Sequence, residues 1–423
     1  MNHLFVHHVE LPSGGRGHLW LENGKIKAVG TDLSPPPGVP VEDGHGWLAL
    51  PGAIDPHVHF RQPGGEHKET LLTGSAAALK GGVTTAADMP NTNPHTTTLA
   101  HVEQKAALSQ GAGVNLLFNL GAEPGSLEQL PLAAAHPQVK ALKIYLGPST
   151  GTGGVKADFA DEVFALAARL NKPVMVHAED PEIIRQQSAL HPHDVFHHHL
   201  IRSLEAELSA VTRALELAAR HGTRLYLCHI TSAQAVALAQ AHPARDRVMV
   251  EACPHHLLLS VEGMADPVPN RFKVNPPLRP EALRAELWSK LAAGIDVLGS
   301  DHAPHTLAEK EQPYDLAPSG MPGVEYLLPL ALNEWAQGTF SLERLMDLTS
   351  GNAARFLGLN KGKLAPGFDA DLVLVDTHRR WRVGEDGDRP ASLCGWTPYQ
   401  GRVIRGRVER TLVGGVIVYR APA

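Results

Sequence analysis

The chain has 423 residues, of which 43% are hydrophobic and 19% charged, so it can bury a large core and form a large domain with a smaller one. Its net charge of −6, without a long run of one sign, argues against a nucleic-acid-binding surface or a polybasic membrane patch. The three cysteines do not have the spacing of a disulfide framework, and residues 1–12 lack the layout of a signal peptide. We therefore expect a cytoplasmic protein that binds neither membrane nor nucleic acid.

Residues 1–50 predict short strands with a turn at Asn23-Gly24, followed by the proline-rich stretch SPPPGVP. After that, short apolar runs alternate with segments whose apolar residues recur at helical spacing. The runs that we interpret as strands are LALPGAIDPHVH, VTTAADM, VNLLFNLG, ALKIYLG, PVMVHAE, RLYLCHI, RVMVEACP and DVLGSDHAP. Eight strands alternating with helices favour an α/β fold, a (β/α)₈ TIM-type barrel, with an open doubly wound sheet as the alternative.

From about Lys363 the chain returns to short strands and turns, in KLAPGFDADLVLVD and GRVIRGRVERTLVGGVIVYR. This texture resembles that of the first fifty residues. We therefore expect both chain ends to form one small β-sandwich-like domain beside the barrel. The predicted division is residues 1–50 and 365–423 for the small β domain and residues 51–364 for the barrel.

Polar residues able to bind a metal occur at the carboxyl ends of the predicted strands, which converge on one rim in a barrel. They are His57, His59, Lys143, His177, His229 and Asp301. Alternation along a strand places His57 and His59 on one face, where both can bind one ion. Each residue alone has an ordinary structural explanation, but without a metal the whole set would leave many buried polar groups unsatisfied. The sequence therefore predicts a metal centre.

Two further features are interpreted as structural. Cys228 precedes His229, and alternation points it away from the ligand face, so we expect a core thiol rather than an extra metal contact. The histidine-rich stretch HPHDVFHHHL, residues 191–200, lies at no strand end. We expect it to be a polar loop before a helix in preference to a metal site.

Eight motifs occur in order between about residues 50 and 375: DPHVHFRQPG, GGVTTAADMPNTNP, VMVHAED, LYLCHITS, ACPHHLLLS, FKVNPPLR, DVLGSDHAPHTLAEK and SGMPGVEYLLPL. Together they resemble the dihydroorotases of the amidohydrolase superfamily. The tail GKLAPGFDADLVLVD is similar to the strand re-entry of that superfamily. The HxH pair alone indicates only an amidohydrolase, whereas HFRQPG with MPNT and NPPLR is more specific.

The resemblance implies a centre of two zinc ions per subunit. Its ligands would be His57, His59 and Asp301 for the first ion, and His177 and His229 for the second. Lys143 matches a lysine that many relatives carry as an N6-carboxylated bridge between the ions, and the nearby Lys140 is interpreted as a surface residue. Zinc is expected because imidazole suits it, although cobalt or manganese would fit similar ligands.

The resemblance also implies the reversible cyclisation of N-carbamoyl-L-aspartate to (S)-dihydroorotate and water, a step of pyrimidine biosynthesis. A metal-bridging hydroxide would attack the ring amide, and Asp301 would act as general base and then general acid. The implied substrate contacts are Arg61, Asn91, Asn275, His305, Pro322 and Gly323. Arg61, with Asn91 and His305, would hold the substrate carboxylate, because a guanidinium binds a carboxylate bidentately. Asn275 is equally well explained as a turn residue before a proline.

Two alternatives stay open at this point. A dihydropyrimidinase, hydantoinase or allantoinase would share the metal ligands, but Arg61 with Asn91 argues against these enzymes. A non-catalytic scaffold that binds aspartate carbamoyltransferase typically loses metal ligands, whereas every expected ligand is present here. Association with that enzyme alongside catalysis, and a homodimer, are partner arrangements that the sequence leaves open.

Overall fold

The computed structural model describes residues 3–150, 152–264, 268–385 and 387–422. Its strands are β1 (His3–Glu10), β2 (Arg16–Glu22), β3 (Lys25–Gly30), β4 (Val41–Asp43), β5 (Leu48–Pro51), β6 (Ala53–Val58), β7 (Val83–Asp88), β8 (Asn115–Gly121), β9 (Val139–Tyr145), β10 (Val174–His177), β11 (Leu225–Leu227), β12 (Val248–Ala252), β13 (Val297–Leu298), β14 (Leu372–Arg382), β15 (Val403–Val413) and β16 (Val416–Arg420). They form two sheets, one built from both chain ends and one from the middle of the chain.

The α-helices are α1 (Leu71–Lys80), α2 (Leu99–Leu108), α3 (Leu130–Ala134), α4 (Ala157–Arg169), α5 (Pro181–Ser188), α6 (His198–Ile201), α7 (Leu204–His221), α8 (Ala233–Gln240), α9 (Pro254–Leu258), α10 (Glu281–Trp288), α11 (Leu307–Lys310), α12 (Leu327–Ala336), α13 (Leu342–Met346) and α14 (Asn352–Leu357). Short 3₁₀ turns and a π-helical turn, Asp347–Gly351, lie between some of them. Within the described ranges no helix combines the length and the apolar character needed to cross a membrane.

The parallel strands β6 to β13 pair in chain order and make the predicted barrel. A parallel bridge between Val58, at the end of β6, and His302, shortly after β13, joins the first strand to the last. Each of the eight predicted runs contains one barrel strand. The carboxyl ends of all eight strands therefore lie at one rim, which is where this fold builds its sites.

The stretch predicted as a single strand, residues 48–59, is two strands that belong to different sheets. The change of sheet occurs at Gly52, whose N–H donates to Asp371 O at 2.9 Å, while Ala53 N donates to Gly82 O at 3.0 Å. A Cβ on Gly52 would lie 2.2 Å from the Thr84 side chain, so only glycine fits this close approach. The prediction of one continuous strand was wrong because both halves are apolar and buried.

The two chain ends share one sheet, which we call the terminal sheet, with the order β3-β2-β1-β5-β14-β15-β16 and β4 paired to β1. The amino-terminal and carboxyl-terminal halves meet where β5 pairs antiparallel with β14, with Leu50 opposite Val373. The predicted turn between β2 and β3 is confirmed, because Asn23 and Gly24 both have positive φ angles, 50° and 77°. The prediction that both ends fold together is confirmed.

Apolar side chains fill the space between barrel strands and helices, and a smaller cluster fills the barrel interior. The interior cluster includes Ile54, Met175, Tyr226 and Met249, and α14 adds Phe356. The barrel interior is thus largely apolar, and the predicted metal ligands lie at the carboxyl ends of the strands, at the rim.

Between β14 and β15 the chain leaves the terminal sheet and crosses the barrel rim. We call residues 388–399 the rim strap. Ser392 Oγ donates to the Glu69 carboxylate, and Leu393 N donates to Glu69 Oε1 at 3.2 Å. Trp396 is buried, and its Nε1 donates to His305 O at 2.8 Å. The strap therefore fixes the backbone of a predicted substrate-binding residue.

Candidate active site

Five of the predicted metal ligands converge at the rim, and all five are buried. Asp301 Oδ1 lies 3.2 Å from His57 Nε2 and 3.1 Å from His59 Nε2. His177 Nδ1 lies 3.0 Å from His229 Nε2. These two groups of ligands are adjacent, because ligand atoms of His57, His229 and Asp301 all lie within 4.8 Å of one another. The arrangement puts nitrogen and oxygen donors from four strands around one small volume.

Buried polar partners fix the orientation of the first two rings. Glu251 Oε1 accepts from His57 Nδ1 at 2.9 Å and from His229 N at 2.7 Å, and Glu251 Oε2 accepts from Tyr226 Oη at 2.6 Å. Asn91 Oδ1 accepts from His59 Nδ1 at 2.6 Å. With each Nδ1 engaged, the Nε2 atoms of His57 and His59 are turned toward Asp301. Carboxylate or carbonyl partners of this kind hold metal-binding histidines in one tautomer.

Three site residues have left-handed backbone conformations: Arg61 (φ 63°), His229 (φ 38°) and Asp301 (φ 44°). Residues other than glycine rarely adopt positive φ, and such conformations concentrate at functional sites, where the surrounding structure must impose them. They direct these side chains into the site where a regular strand would not.

The backbone at His229 also overturns the expectation for Cys228. Strand β11 ends at Leu227, and the φ of 38° at His229 breaks the alternation, so Cys228 and His229 both point into the barrel. Cys228 Sγ accepts from Lys143 Nζ at 3.0 Å, and Lys143 Nζ lies 4.9 Å from the centre of the Tyr145 ring. The prediction that the thiol points away from the ligand face was wrong, although Cys228 does pack with the interior cluster.

The charges of the cluster suit a bound cation. Burial opposes a charged imidazole at His57, but Glu251 and then Asp301 outweigh it and raise the pKa of His57 to about 10. Burial lowers the pKa of His59 to about 4, and burial, together with the neighbouring His177, holds the pKa of His229 well below its usual range. Burial opposes ionisation of Asp301, yet His57 and His59 hold its pKa well below the usual range. His59 and His229 are therefore neutral and Asp301 is anionic, while His57 carries a proton that balances Glu251 and Asp301. A metal ion would replace that proton, because metal and proton compete for the same ring nitrogen.

The spacing of the donor atoms tests whether the residues fit a metal. His57 Nε2 and His59 Nε2 lie 3.2 Å and 3.1 Å from the same Asp301 oxygen, and His177 Nδ1 lies 3.0 Å from His229 Nε2. Two ligands of one tetrahedral zinc ion lie roughly 3.3 to 3.4 Å apart, so these separations suit shared coordination. A donor set of imidazoles and one carboxylate is typical of zinc and related ions. The residues therefore fit a metal of the zinc class.

Arg61 lies beside these ligands in the same cavity and is 8% exposed. Its Nε donates to Pro304 O at 3.1 Å, and its Nη2 lies 3.0 Å from His305 Nε2. In the described part of the chain, no carboxylate lies within ion-pair distance of this guanidinium. A buried charge without a counterion is destabilising unless a ligand supplies one.

His305 contacts Arg61 but does not balance its charge. Burial, and then the charges of Arg61 and Lys68, holds the pKa of His305 well below its usual range, so the ring is neutral. Its Nδ1 accepts from Lys68 Nζ at 3.0 Å, and its Nε2 can donate to Ser319 O at 3.2 Å. A neutral imidazole supplies no negative charge, so the charge of Arg61 remains available to an anionic ligand.

The other predicted substrate contacts are placed in different ways. The cavity is lined by His57, His59, Arg61, Asn91, Tyr145, Ser149, Thr150, His177, His229, Val274, Asn275, Asp301, Ala303, Ser319 and Gly320. Asn91 reaches the cavity, but its Oδ1 accepts from His59 and its Nδ2 donates to Thr150 O at 3.0 Å. Pro322 and Gly323 are not among the described lining residues, and Gly323 N donates to His302 Nδ1 at 3.0 Å.

Two residues that support this site were not predicted from the sequence. Glu251 appeared only as a single acidic residue in the apolar run RVMVEACP, which is the same signal that singled out Lys143 in ALKIYLG. His198, in the histidine-rich stretch, is buried, and its Nε2 donates to Asn275 Oδ1 at 2.9 Å. Nothing in the stretch distinguishes His198 from its neighbours, so no sequence signal could have found it.

Comparison with known proteins identifies the family of this chain. Residues 48–418 match the model of the amidohydrolase family. A dihydroorotase from Halobacterium salinarum is 41% identical over 387 residues, which cover 90% of this chain and 89% of the relative. A dihydroorotase from Methanosarcina mazei is 36% identical over 412 residues, covering 94% and 90%. The chain belongs to the amidohydrolase family, and it is a hydrolase.

Solved structures agree on the architecture. An L-hydantoinase (dihydropyrimidinase) from Arthrobacter aurescens superposes with a TM-score of 0.93 at 28% identity, covering 99% of this chain and 96% of its own. A dihydropyrimidinase from Brevibacillus agri superposes with a TM-score of 0.89 at 26% identity, covering 99% and 95%. The fold is thus shared with cyclic-amide hydrolases, and the resemblance to dihydroorotases that the motifs indicated is confirmed by the curated relatives.

Proposed function

We propose that this protein catalyses the reversible ring opening of (S)-dihydroorotate to N-carbamoyl-L-aspartate. The observation that carries the proposal is the buried Arg61 guanidinium, which has no carboxylate partner in the described chain and lies in the cavity with the metal-binding histidines. Dihydroorotate and carbamoyl aspartate both bring a carboxylate, which a guanidinium can bind through two parallel hydrogen bonds. The curated relatives named dihydroorotase support the same conclusion.

The residues that would hold the metal are the predicted ones. His57, His59 and Asp301 would bind one zinc ion, His177 and His229 a second, and Lys143 would reach both as a carbamate. Lys143 is 1% exposed and has no carboxylate within ion-pair distance in the described ranges, so its free ammonium form is poorly compensated there. A free ammonium has no lone pair for a metal, whereas a carbamate has two donor oxygens. When bound, the metal supplies Lewis-acid activation of water and of the ring amide carbonyl.

The chain itself positions the substrate and moves the proton. Arg61, with the neutral His305 beside its guanidinium, binds the carboxylate, and the amide of Asn275, which lines the same cavity, borders the ring. A water oxygen adds to the ring amide carbon, and the bond between that carbon and the ring nitrogen breaks. Asp301 takes a proton from the water and delivers it to the leaving nitrogen, acting as base and then as acid. Ring closure uses the same steps in reverse and releases water.

Hydantoin and dihydropyrimidine hydrolysis is the second candidate, because the superposing structures are enzymes of that kind. The unsubstituted rings of those substrates carry no carboxylate, and the charge of Arg61 would then remain uncompensated in the cavity. The carboxylate-bearing ring therefore fits this site better.

A ring-opening assay tests the proposal. The purified, untagged protein is assayed on dihydroorotate, dihydrouracil, hydantoin and allantoin, with metal analysis of the same sample and an Asp301→Asn preparation to exclude contaminating activity. We expect kcat/KM to be highest on dihydroorotate. A higher kcat/KM on any of the three neutral rings would contradict the proposal.

A further inference from the structure

A second group of histidines lies in the terminal sheet. Strand β1 contains a β-bulge between Val6 and Val9, at which the pairing register with β2 shifts and His8 has a φ of 54°. In a regular strand neighbouring side chains point to opposite faces, whereas a bulge redirects one of them. The rings of His7 and His8 accordingly lie on the same side, with their centres 4.2 Å apart.

Both rings face one carboxylate. Asp43 Oδ1 lies 3.8 Å from His7 Nε2 and 3.7 Å from His8 Nδ1, and Asp43 Oδ2 lies 3.7 Å from His45 Nδ1. Ligand atoms of His7, His8 and Asp43 all lie within 4.8 Å of one another. These three potential ligands surround one position on the surface of the terminal sheet, on a different sheet from the barrel rim, and His45 lies beside Asp43.

The backbone holds these side chains in place. The turn after β4 docks on the bulge, where Gly44 N donates to His7 O at 2.7 Å and Gly46 N donates to His8 O at 2.6 Å. His45 N donates to Asp43 Oδ1 at 2.9 Å. A Cβ on Gly44 would lie 2.8 Å from His7 O, so the approach requires glycine. These side chains are therefore positioned by main-chain contacts before any ligand arrives.

The spacing suits an ion better than it suits hydrogen bonds. Separations of 3.7 to 3.8 Å between ring nitrogen and carboxylate oxygen exceed the usual length of a hydrogen bond. Two ligands of a tetrahedral zinc ion, each about 2.0–2.1 Å from the metal, lie roughly 3.3 to 3.4 Å apart. A contraction of a few tenths of an ångström would therefore bring each histidine nitrogen and the Asp43 carboxylate to the separation of two zinc ligands.

Charge and access also favour a cation. The Asp43 carboxylate, which accepts the His45 N–H, is the acidic group of the cluster. The exposed fractions of the His7, His8, His45 and Asp43 side chains run from 29% to 62%. Neutral imidazole and carboxylate donors that solvent can reach bind zinc-class ions without unfolding of the chain.

We propose that His7, His8 and Asp43 form a surface binding site for one divalent transition-metal ion of the zinc class, separate from the barrel centre. The site would clamp the bulge of β1 to the end of β4. Among divalent ions it would prefer those that imidazole favours (zinc, nickel or copper) over magnesium or calcium, which prefer all-oxygen ligands.

Metal counting tests the site. Untagged wild-type protein, His8→Asn and Asp43→Asn are dialysed against one zinc buffer and analysed for zinc per chain. Asparagine tolerates the positive φ at residue 8, and at residue 43 it can still accept the His45 N–H, so both variants preserve the backbone. We expect each variant to hold about one zinc ion fewer than the wild type. Added zinc should also raise the melting temperature of the wild type more than it raises that of either variant.

His378→Gln is the matched control, because His378 is an exposed histidine of the same sheet outside the cluster. It should bind as much zinc as the wild type. Equal zinc in the wild type, His8→Asn and Asp43→Asn would overturn the proposal, and so would an equal loss in His378→Gln, which would indicate non-specific binding by surface histidines. Neither result bears on the barrel reaction, because the assay counts zinc and uses no substrate.

Discussion

Histidines and aspartate meet at the barrel rim and again at the bulge of the terminal sheet, but different forces hold the two groups. At the rim the rings are buried, and Glu251 and Asn91 orient two of them from behind. At the bulge the rings are partly exposed, and hydrogen bonds of Gly44 and Gly46 to the main chain place them. Similar residues thus occupy one site that excludes water and one that exchanges with it.

The difference in burial matters for chemistry, because burial strengthens electrostatic interactions and makes unpaired charges destabilising. A rim that holds a guanidinium, a carboxylate and several imidazoles out of water can orient a charged substrate and act on it. The exposed cluster has the same kinds of donors, but its side chains are 29% to 62% exposed, so water reaches them directly. We therefore expect substitutions at the rim to affect turnover and those at the bulge to affect only metal content and stability.

The largest expected effect comes from Asp301→Asn. An amide cannot accept the proton of the attacking water, so kcat on dihydroorotate should fall about 10²- to 10⁴-fold. Steady-state kinetics with zinc analysis of the same sample measures this. Asp161→Asn, at an exposed ion pair with Arg220, is the control and should keep full activity. A zinc-loaded Asp301→Asn enzyme with wild-type turnover would reduce Asp301 to a ligand.

The next largest effect is expected at Arg61→Met. Loss of a buried partner for a carboxylate typically costs about 2–5 kcal/mol, so kcat/KM on dihydroorotate should fall by roughly 30- to 4,000-fold. Activity on dihydrouracil should change far less, because that ring has no carboxylate. Parallel assays on the two substrates measure the ratio. If both substrates lost activity equally, Arg61 would act in folding or metal binding rather than in substrate recognition.

The third effect is expected at Glu251→Gln, in the strength with which the rim holds zinc. Removing the charge behind His57 should weaken zinc binding at the rim about 10- to 100-fold. Chelator competition, followed as zinc remaining per chain, measures the change. Glu216→Gln, at an exposed position of α7, should behave as wild type. Unchanged zinc retention in Glu251→Gln would show that the hydrogen bond, and not the charge, orients the ring.

The smallest effect is expected in the histidine-rich stretch. His198→Phe removes the hydrogen bond to Asn275, so KM for dihydroorotate should rise about 2- to 10-fold while kcat changes less. The neighbouring His197, which is bonded to Asp194 at the surface, gives the matched control His197→Phe with unchanged KM. A fall in kcat without a rise in KM would contradict a role in positioning Asn275.

Alternation along a strand predicted the direction of some site residues and failed for others. It placed His57 and His59 on the same side, and the Nε2 atoms of both rings do face Asp301, although the register between β6 and β7 shifts between Asp55 and Val58. The same rule failed at Cys228, because β11 ends one residue earlier and the positive φ of His229 turns both residues inward. Left-handed backbone conformations at non-glycine residues leave no periodic signal, so a pattern cannot predict them.

Contacts between segments that are far apart in the chain could not be predicted from the sequence either. His198 and Asn275 are 77 positions apart, and their contact depends on how two loops pack over the rim. The rim strap belongs by sequence to the tail, yet Trp396 donates to the backbone of His305. Local composition describes each segment alone, whereas these contacts arise from tertiary packing.

The pairing of β5 with β14 has a consequence for how the chain must be made. Strand β5 ends at Pro51, and its partner begins at Leu372, so 320 residues are synthesised between them. At about 5–20 residues per second, a ribosome needs roughly 15 to 65 seconds for that stretch. During this time the nascent amino-terminal strands present an open sheet edge, which other chains could pair with. The barrel can assemble as it emerges, but the terminal sheet closes only after most of the polypeptide has left the ribosome.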